Sequence, residues 1–67
     1  MKIFLNDFPT DLPDNLMNLS DLVKWKQIPL QGTAIALNDK LIKQNLWNVT
    51  NLKDLDRVTI ISAAYGG

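Results

Sequence analysis

The chain has 67 residues, with seven basic and seven acidic side chains, and it contains neither Cys nor His. A chain of this size buries only about 60% of its unfolded surface, so we expect one small domain spanning residues 1–67. Without Cys or His, disulfides and zinc sites of the Cys/His type are excluded, and we expect no metal and no bound cofactor. A net charge of zero with dispersed basic residues argues against nucleic acid as the main partner.

The longest apolar runs are shorter than the roughly 20 residues that cross a bilayer, and no signal peptide is recognisable. We therefore expect no membrane association. The absence of Cys fits a reducing compartment, which favours a cytoplasmic protein.

The first residues predict a β-hairpin. Lys2-Ile3-Phe4-Leu5 is an apolar, partly β-branched segment that is typical of a strand. Asn6-Asp7 favours a tight turn, after which Phe8 to about Leu12 is predicted to return antiparallel. Pro9 has no N–H for a sheet hydrogen bond, so this second strand should lie at a sheet edge.

One helix is predicted next, beginning at Asn18. This residue is a favourable N-cap, and Asp21 three positions later can complete a capping box. Pro29 is predicted to end the helix, because the residue before a proline is disfavoured in helical conformation. The apolar stripe that should face the core consists of Leu19, Leu22 and Val23.

The second half of the chain predicts three more strands. Thr33 to Leu37 is apolar after its first residue, as in a central strand covered on at least one face. Asn38-Asp39 predicts a second hairpin turn, followed by a short edge strand from Lys40 to Lys43. The other predicted elements are a turn at Gln31-Gly32, a helical turn from Gln44 to Trp47, a loop held by Val49, Leu52 and Leu55, and a final strand beginning near Arg57.

This element order predicts an α+β β-grasp (ubiquitin-like) fold, a mixed sheet packed on one main helix. The final strand is the longest β-branched run and is predicted at the sheet centre, where it would be covered. The aromatic residues are expected mainly in the core. These residues are Phe4, Phe8, Trp25 and Trp47, the two tryptophans lying in the core or at its rim unless they anchor a partner.

Catalytic groups are scarce. Without His or Cys the usual nucleophile–base pairs cannot form, and the isolated Gly32 does not make a phosphate-binding loop. Asp54 and Asp56 could in principle act as an acid–base pair, but acids beside Lys53 and Arg57 are more typical of solvated loop charges. We therefore expect that the protein is not an enzyme.

The final strand leads directly into Tyr65-Gly66-Gly67. Because Gly lacks Cβ, such a segment can approach another surface closely and present the terminal carboxylate on a thin, flexible tail. A frayed chain end is the alternative explanation. The small residues Ser62, Ala63 and Ala64 would suit a tail that lies in a partner's groove.

Taken together, these features resemble the ThiS family, the sulfur carrier proteins of thiamine biosynthesis, over essentially the full length. The resemblance rests on Lys2-Ile3-Phe4-Leu5-Asn6, Leu22-Val23, Ala34-Ile35-Ala36-Leu37-Asn38, Trp47, an Asp before the last strand, and Gly66-Gly67. Tyr65 stands where family members usually carry a small apolar residue.

The resemblance implies that the Gly67 carboxylate is adenylated by an E1-like ATP-dependent activating enzyme. A sulfur donor such as a cysteine desulfurase would then convert it to a thiocarboxylate, which gives sulfur to thiazole synthase. Adenylate and thiocarboxylate would be transient covalent modifications. Partner contacts are expected from Ala64, Tyr65, Gly66 and the outward residues of the last strand near the tail, including Arg57.

Other destinations remain open on the sequence alone. A carrier of this kind could serve molybdopterin synthesis or tRNA thiolation, or could be conjugated to a lysine. A stand-alone ubiquitin-like interaction module is a further alternative from a different class.

Overall fold

The fold is seen in a computed structural model that describes residues 1–62. Its elements in chain order are β1 (Lys2–Leu5), β2 (Phe8–Asp11), α1 (Leu19–Lys26), β3 (Thr33–Leu37), β4 (Lys40–Ile42), a 3-10 helix (Gln44–Val49) and β5 (Arg57–Ser62). The strands form one mixed sheet in the order β2-β1-β5-β3-β4. The predicted β-grasp architecture is confirmed.

Strand β5 lies in the centre of the sheet, as predicted. It pairs parallel with β1 and antiparallel with β3, while β2 and β4 form the two edges. Pro9 lies in the edge strand β2, where its missing N–H costs no central hydrogen bond. Val58 of β5 is fully buried, as expected for a strand with neighbours on both sides.

Both predicted hairpin turns are present and share one geometry. Asn6 and Asp7 have φ values of 48° and 71°, and Asn38 and Asp39 have values of 51° and 71°. Two consecutive left-handed residues are the hallmark of the two-residue turn whose twist matches that of its flanking strands. Asn and Asp tolerate this conformation better than most residues, which explains their position here.

Helix α1 begins as predicted but ends differently. Asn18 Oδ1 accepts the Asp21 N–H at 2.9 Å, and the Asp21 carboxylate accepts the Asn18 N–H at 3.3 Å, which completes the capping box. The prediction that Pro29 ends the helix is wrong. The last helical residue is Lys26, because Gln27 takes a left-handed φ of 56° and the Ile28 N–H donates to the Val23 carbonyl at 3.0 Å.

The core lies between α1 and one face of the sheet. Trp47 is 1% exposed, and its indole Nε1 donates to the Ile42 carbonyl at 3.0 Å, so its predicted burial is confirmed. The buried apolar residues are Ile3, Leu5, Leu12, Leu16, Leu19, Leu22, Val23, Ile35, Trp47, Leu52 and Val58.

Three of the aromatic residues lie outside this core. The predicted burial of Phe8 is wrong, since it is 72% exposed at the start of an edge strand, where no further strand covers it. Trp25 is 43% exposed on α1 and lies at the rim. The predicted place of Phe4 in the core is also wrong. Phe4 is half-buried between the buried residues Ile3 and Leu5, and so points to the sheet face opposite the helix.

The loop before β5 departs from prediction in two ways. Of its three expected anchors, Leu52 is buried but Val49 and Leu55 are largely exposed. Asp56 is buried, not solvated, because its carboxylate accepts the Lys53 N–H at 2.7 Å and Asn38 Nδ2 at 3.0 Å. It therefore fastens the loop to the β3–β4 turn.

Over residues 1–62, no helix is long and apolar enough to cross a lipid bilayer.

Candidate functional site

The predicted carrier end lies beyond the described residues. Ala64, Tyr65, Gly66 and Gly67 belong to residues 63–67, outside the region that the structure describes, so their predicted roles stay predictions. The structure does place the point from which they extend. This point is Ser62, the last residue of β5, which pairs with Thr33 at the start of β3.

The sheet face opposite α1 is open. Side chains alternate along a strand, so Val58 and Ile60 point toward the core, whereas Thr59 and Ile61 point away from it. The neighbouring strands add residues in register with these. We call this surface the outer face, and it comprises Phe4, Ala34, Ala36, Leu41, Arg57, Thr59 and Ile61.

The outer face is mainly apolar. Leu41 is 65% exposed and Ile61 is 53% exposed, and the two small side chains Ala34 and Ala36 lie between them. Small side chains let a partner approach the backbone closely, and a contiguous exposed apolar patch commonly marks an interaction site. This surface is suited to binding a protein partner.

Arg57 lies on the outer face, at the opposite end of β5 from Ser62. It opens β5, five residues before Ser62, which corresponds to about 16 Å at the usual rise of a strand. Its side chain is 59% exposed, and its Nη2 lies 2.7 Å from Asp39 Oδ2. The predicted outward orientation of Arg57 is present, and its predicted contact with a partner stays a prediction.

An open groove adjoins the end of β5. It has a volume of about 530 Å³ and is continuous with the outer face through Ala34 and Ile61. Gln44 Nε2 donates to the Leu30 carbonyl at 2.8 Å and holds one wall in place. The full lining is Leu30, Gln31, Gly32, Thr33, Ala34, Gln44 and Ile61.

Sequence reasoning missed this groove. Leu30, which is 56% exposed, lies between Pro29 and the predicted turn at Gln31-Gly32. Gly32 in that segment has a φ of 77°, a left-handed value that Gly adopts readily. The available signal in the sequence was a Leu two residues before a turn Gly. The approach of Gln44 and Ile61 to this segment depends on contacts distant in sequence, which the pattern does not contain.

Groups that could carry chemistry are sparse among the described residues. Across residues 1–62, no cluster of three or more His, Cys, Asp or Glu side chains is present. In the same region every buried polar side-chain atom has a hydrogen-bond partner. Asp54 and Asp56 have separate structural tasks, since Asp54 Oδ1 accepts the Lys2 N–H at 2.8 Å while Asp56 holds the loop.

Comparison with known proteins finds a protein family and similar solved structures. The sequence pattern of the ThiS family matches residues 4–67. The crystal structure of the thiamine biosynthesis protein (ThiS) from Geobacter metallireducens superposes with a TM-score of 0.84, at 20% identity and with 100% of both chains covered. No curated protein sequence matches the chain significantly.

These matches carry different weight. At 20% identity the structural likeness shows a shared fold. The family match extends over nearly the whole chain, so the resemblance predicted from the sequence is confirmed, and this chain belongs to the ThiS family.

Proposed function

We propose that this protein is a sulfur carrier of thiamine biosynthesis and that the Gly67 carboxylate carries the sulfur. The observation that supports this most strongly is the family match over residues 4–67, which includes Gly66-Gly67. The fold adds a second support, because the central strand β5 leads toward these residues beside an open apolar surface.

The proposed chemistry makes an unreactive carboxylate into a sulfur donor in two steps. An oxygen of the Gly67 carboxylate attacks the α-phosphorus of ATP, the bond to the β-phosphate breaks, and pyrophosphate leaves. A donor such as a cysteine desulfurase carries the sulfur as a persulfide, and a thiol reductant cleaves this persulfide, which forms a disulfide and releases sulfide. The sulfide then attacks the acyl carbon. AMP departs with the electron pair of the C–O bond, and a thiocarboxylate remains.

The protein is the substrate of these steps and not their catalyst. An E1-like activating enzyme supplies the ATP site, and thiazole synthase receives the sulfur. An oxygen atom from water or from the acceptor replaces the sulfur, which regenerates the Gly67 carboxylate. Because activation consumes ATP, we place the reaction in the cytoplasm. Both covalent modifications are transient, so the carrier is reused.

We further propose that the activating enzyme binds the outer face and the adjoining groove. Residues 63–67 span at most about 18 Å when extended, so an enzyme that holds Gly67 in its active site must lie close to Ser62. Ile61, Ala34 and Leu30 are the apolar residues near this position. Arg57 lies at the other end of β5 and would reach only the margin of such an interface.

Intact-mass spectrometry tests the proposed function. The chain is incubated with ATP, a sulfur donor and an activating enzyme that is active on its own carrier. The expected product is heavier by the mass difference between sulfur and oxygen, and it forms only with ATP. A variant lacking Gly67 is the control and should keep its mass, with unchanged unfolding because residues beyond the sheet contribute little packing.

An unchanged mass of the full chain would contradict the proposal and favour the interaction-module alternative. The destination of the sulfur is tested separately, by adding thiazole synthase to the purified thiocarboxylate form. Return of the carrier to its original mass is expected. Retention of the sulfur would instead favour another acceptor, such as molybdopterin synthase.

A further inference from the structure

The side chain of Asn6 takes the place of a strand residue beside β5. Strand β1 ends at Leu5, opposite Val58, but β5 continues to Ser62. The Asn6 amide fills the next position, since its Oδ1 accepts the Ile60 N–H at 2.7 Å and its Nδ2 donates to the Ile60 carbonyl at 3.4 Å. A primary amide thus reproduces the pair of hydrogen bonds that a residue of an adjacent antiparallel strand would exchange with Ile60.

This contact lies near the place where the carrier end begins. Ile60 is two residues before Ser62, and the Asn6 N–H also donates to the Val58 carbonyl at 2.8 Å. On its other side β5 pairs with β3 as far as Thr33 and Ser62. Within residues 1–62, the last part of β5 is therefore held on one side by a strand and on the other by a single side chain.

The other hairpin provides an internal comparison. Asn38 has the same left-handed backbone as Asn6, and its N–H donates to the Arg57 carbonyl at 2.7 Å. Its Oδ1 accepts the Arg57 N–H at 2.8 Å. The same residue type in the same kind of turn therefore binds β5 at its start, about 10 Å before Ile60 at the usual rise of a strand.

We propose that Asn6 is a positioning residue for the carrier end. It holds β5 at Ile60 on the side away from β3, beyond the end of β1, and so limits the length of chain that the activating enzyme must order when it binds Gly67. Fixing each additional backbone residue carries an entropy cost, which would weaken binding of a carrier with a looser strand end. This inference rests on the proposed function as a carrier.

Two matched variants test it, Asn6→Gly and Asn38→Gly. Gly accepts a left-handed φ without steric cost, so each variant keeps its turn and loses only the amide side chain. Steady-state activation of each carrier is measured as the ATP-dependent release of pyrophosphate. For Asn6→Gly we expect KM for the carrier to rise about tenfold with kcat within about twofold, because only the cost of ordering at binding changes.

Asn38→Gly should leave both kinetic constants within about twofold of the original, even though it also loses hydrogen bonds to Asp56 and Arg57. Equal KM values for the two variants, or a change confined to kcat, would overturn the inference. No turnover with the unaltered chain would overturn the proposed function itself, and the assignment of a positioning role with it.

Amide hydrogen exchange on the isolated carrier gives a readout independent of the enzyme. Asn6→Gly should speed exchange of the Ile60 N–H by about tenfold or more, whereas Asn38→Gly should not, because local opening follows the lost hydrogen bond. Asn6→Asp keeps the acceptor for this N–H and should give intermediate exchange and an intermediate KM. Unchanged exchange in Asn6→Gly would show that the side chain does not hold β5.

Discussion

The two faces of the sheet are built from the same strands but differ in how far their side chains are buried. On the inner face, Ile3, Ile35 and Val58 are fully buried against α1. On the outer face, Leu41 and Ile61 are more than half exposed. The inner face therefore carries most of the folding free energy, and the outer face is available for a partner at little cost in stability.

Among the variants that test this contrast, Ile35→Ala is expected to change the free energy of unfolding most. Truncating a fully buried Ile leaves a cavity and should cost about 2–5 kcal/mol of the free energy of unfolding. That is a large share of the roughly 3–10 kcal/mol expected for a domain of this length. Urea unfolding measures it.

The matched control is Leu41→Ala on β4, at the outer face of the same β-hairpin. Because Leu41 is 65% exposed, this change should alter the free energy of unfolding by about 0.5 kcal/mol or less. If the two variants lost equal stability, the distinction between the faces would fail.

The next largest loss in the free energy of unfolding is expected from Asp56→Ala. Removing this buried carboxylate leaves the Lys53 N–H and Asn38 Nδ2 without their acceptor, which should cost about 1–3 kcal/mol. Asp54→Ala removes an exposed acceptor and should cost less, about 0.5 kcal/mol. A reversed order in thermal or urea unfolding would contradict the assignment of Asp56 as the loop's anchor.

Leu55→Gly is expected to have a smaller effect, and to raise the free energy of unfolding where the preceding variants lower it. Leu55 is 58% exposed, but its φ is 70°, a conformation that costs a residue with a Cβ about 1 kcal/mol. Gly removes that strain and should raise the free energy of unfolding by up to about 1 kcal/mol. Leu55→Ala keeps the Cβ and should bring no gain, so a more stable Ala than Gly variant would refute the explanation.

The smallest effect on stability is expected from Ile61→Thr on the outer face. The free energy of unfolding should change by no more than about 0.5 kcal/mol, because the side chain is exposed and stays β-branched. If the activating enzyme covers this residue, the KM for the carrier should rise about fivefold, which corresponds to about 1 kcal/mol of lost apolar burial.

Val49→Thr is the control for this last variant. Val49 is 68% exposed but lies on the 3-10 helix, away from the outer face, and its substitution should leave KM unchanged. A similar rise in KM for both variants would indicate that the enzyme does not bind the outer face specifically.

Much of the fold could be predicted because its signals are local. Asn6-Asp7 and Asn38-Asp39 predicted both turns, and Asn18 with Asp21 predicted the start of the helix, since each pair needs only residues close in sequence. These short-range preferences agree with the overall fold, as expected for a natural sequence.

The errors have a common physical origin. Gln27 and Leu55 adopt left-handed conformations that their residue types do not favour, so no local signal marked the end of α1 or the outward turn of Leu55. Asp56 is buried because Asn38 meets it from another part of the chain. The contact of Asn6 with Ile60 joins positions 54 residues apart, and the sequence pattern does not contain such pairings.

The central claim is that Gly67 carries the sulfur, and fragment mass spectrometry of the loaded carrier tests it most directly. The chain has no Cys, so a persulfide on its own side chains cannot account for added sulfur. The predicted result is that the extra mass resides on Gly67, in the C-terminal fragment alone. Sulfur in a fragment without Gly67, or loading of a variant that lacks Gly67, would contradict the account.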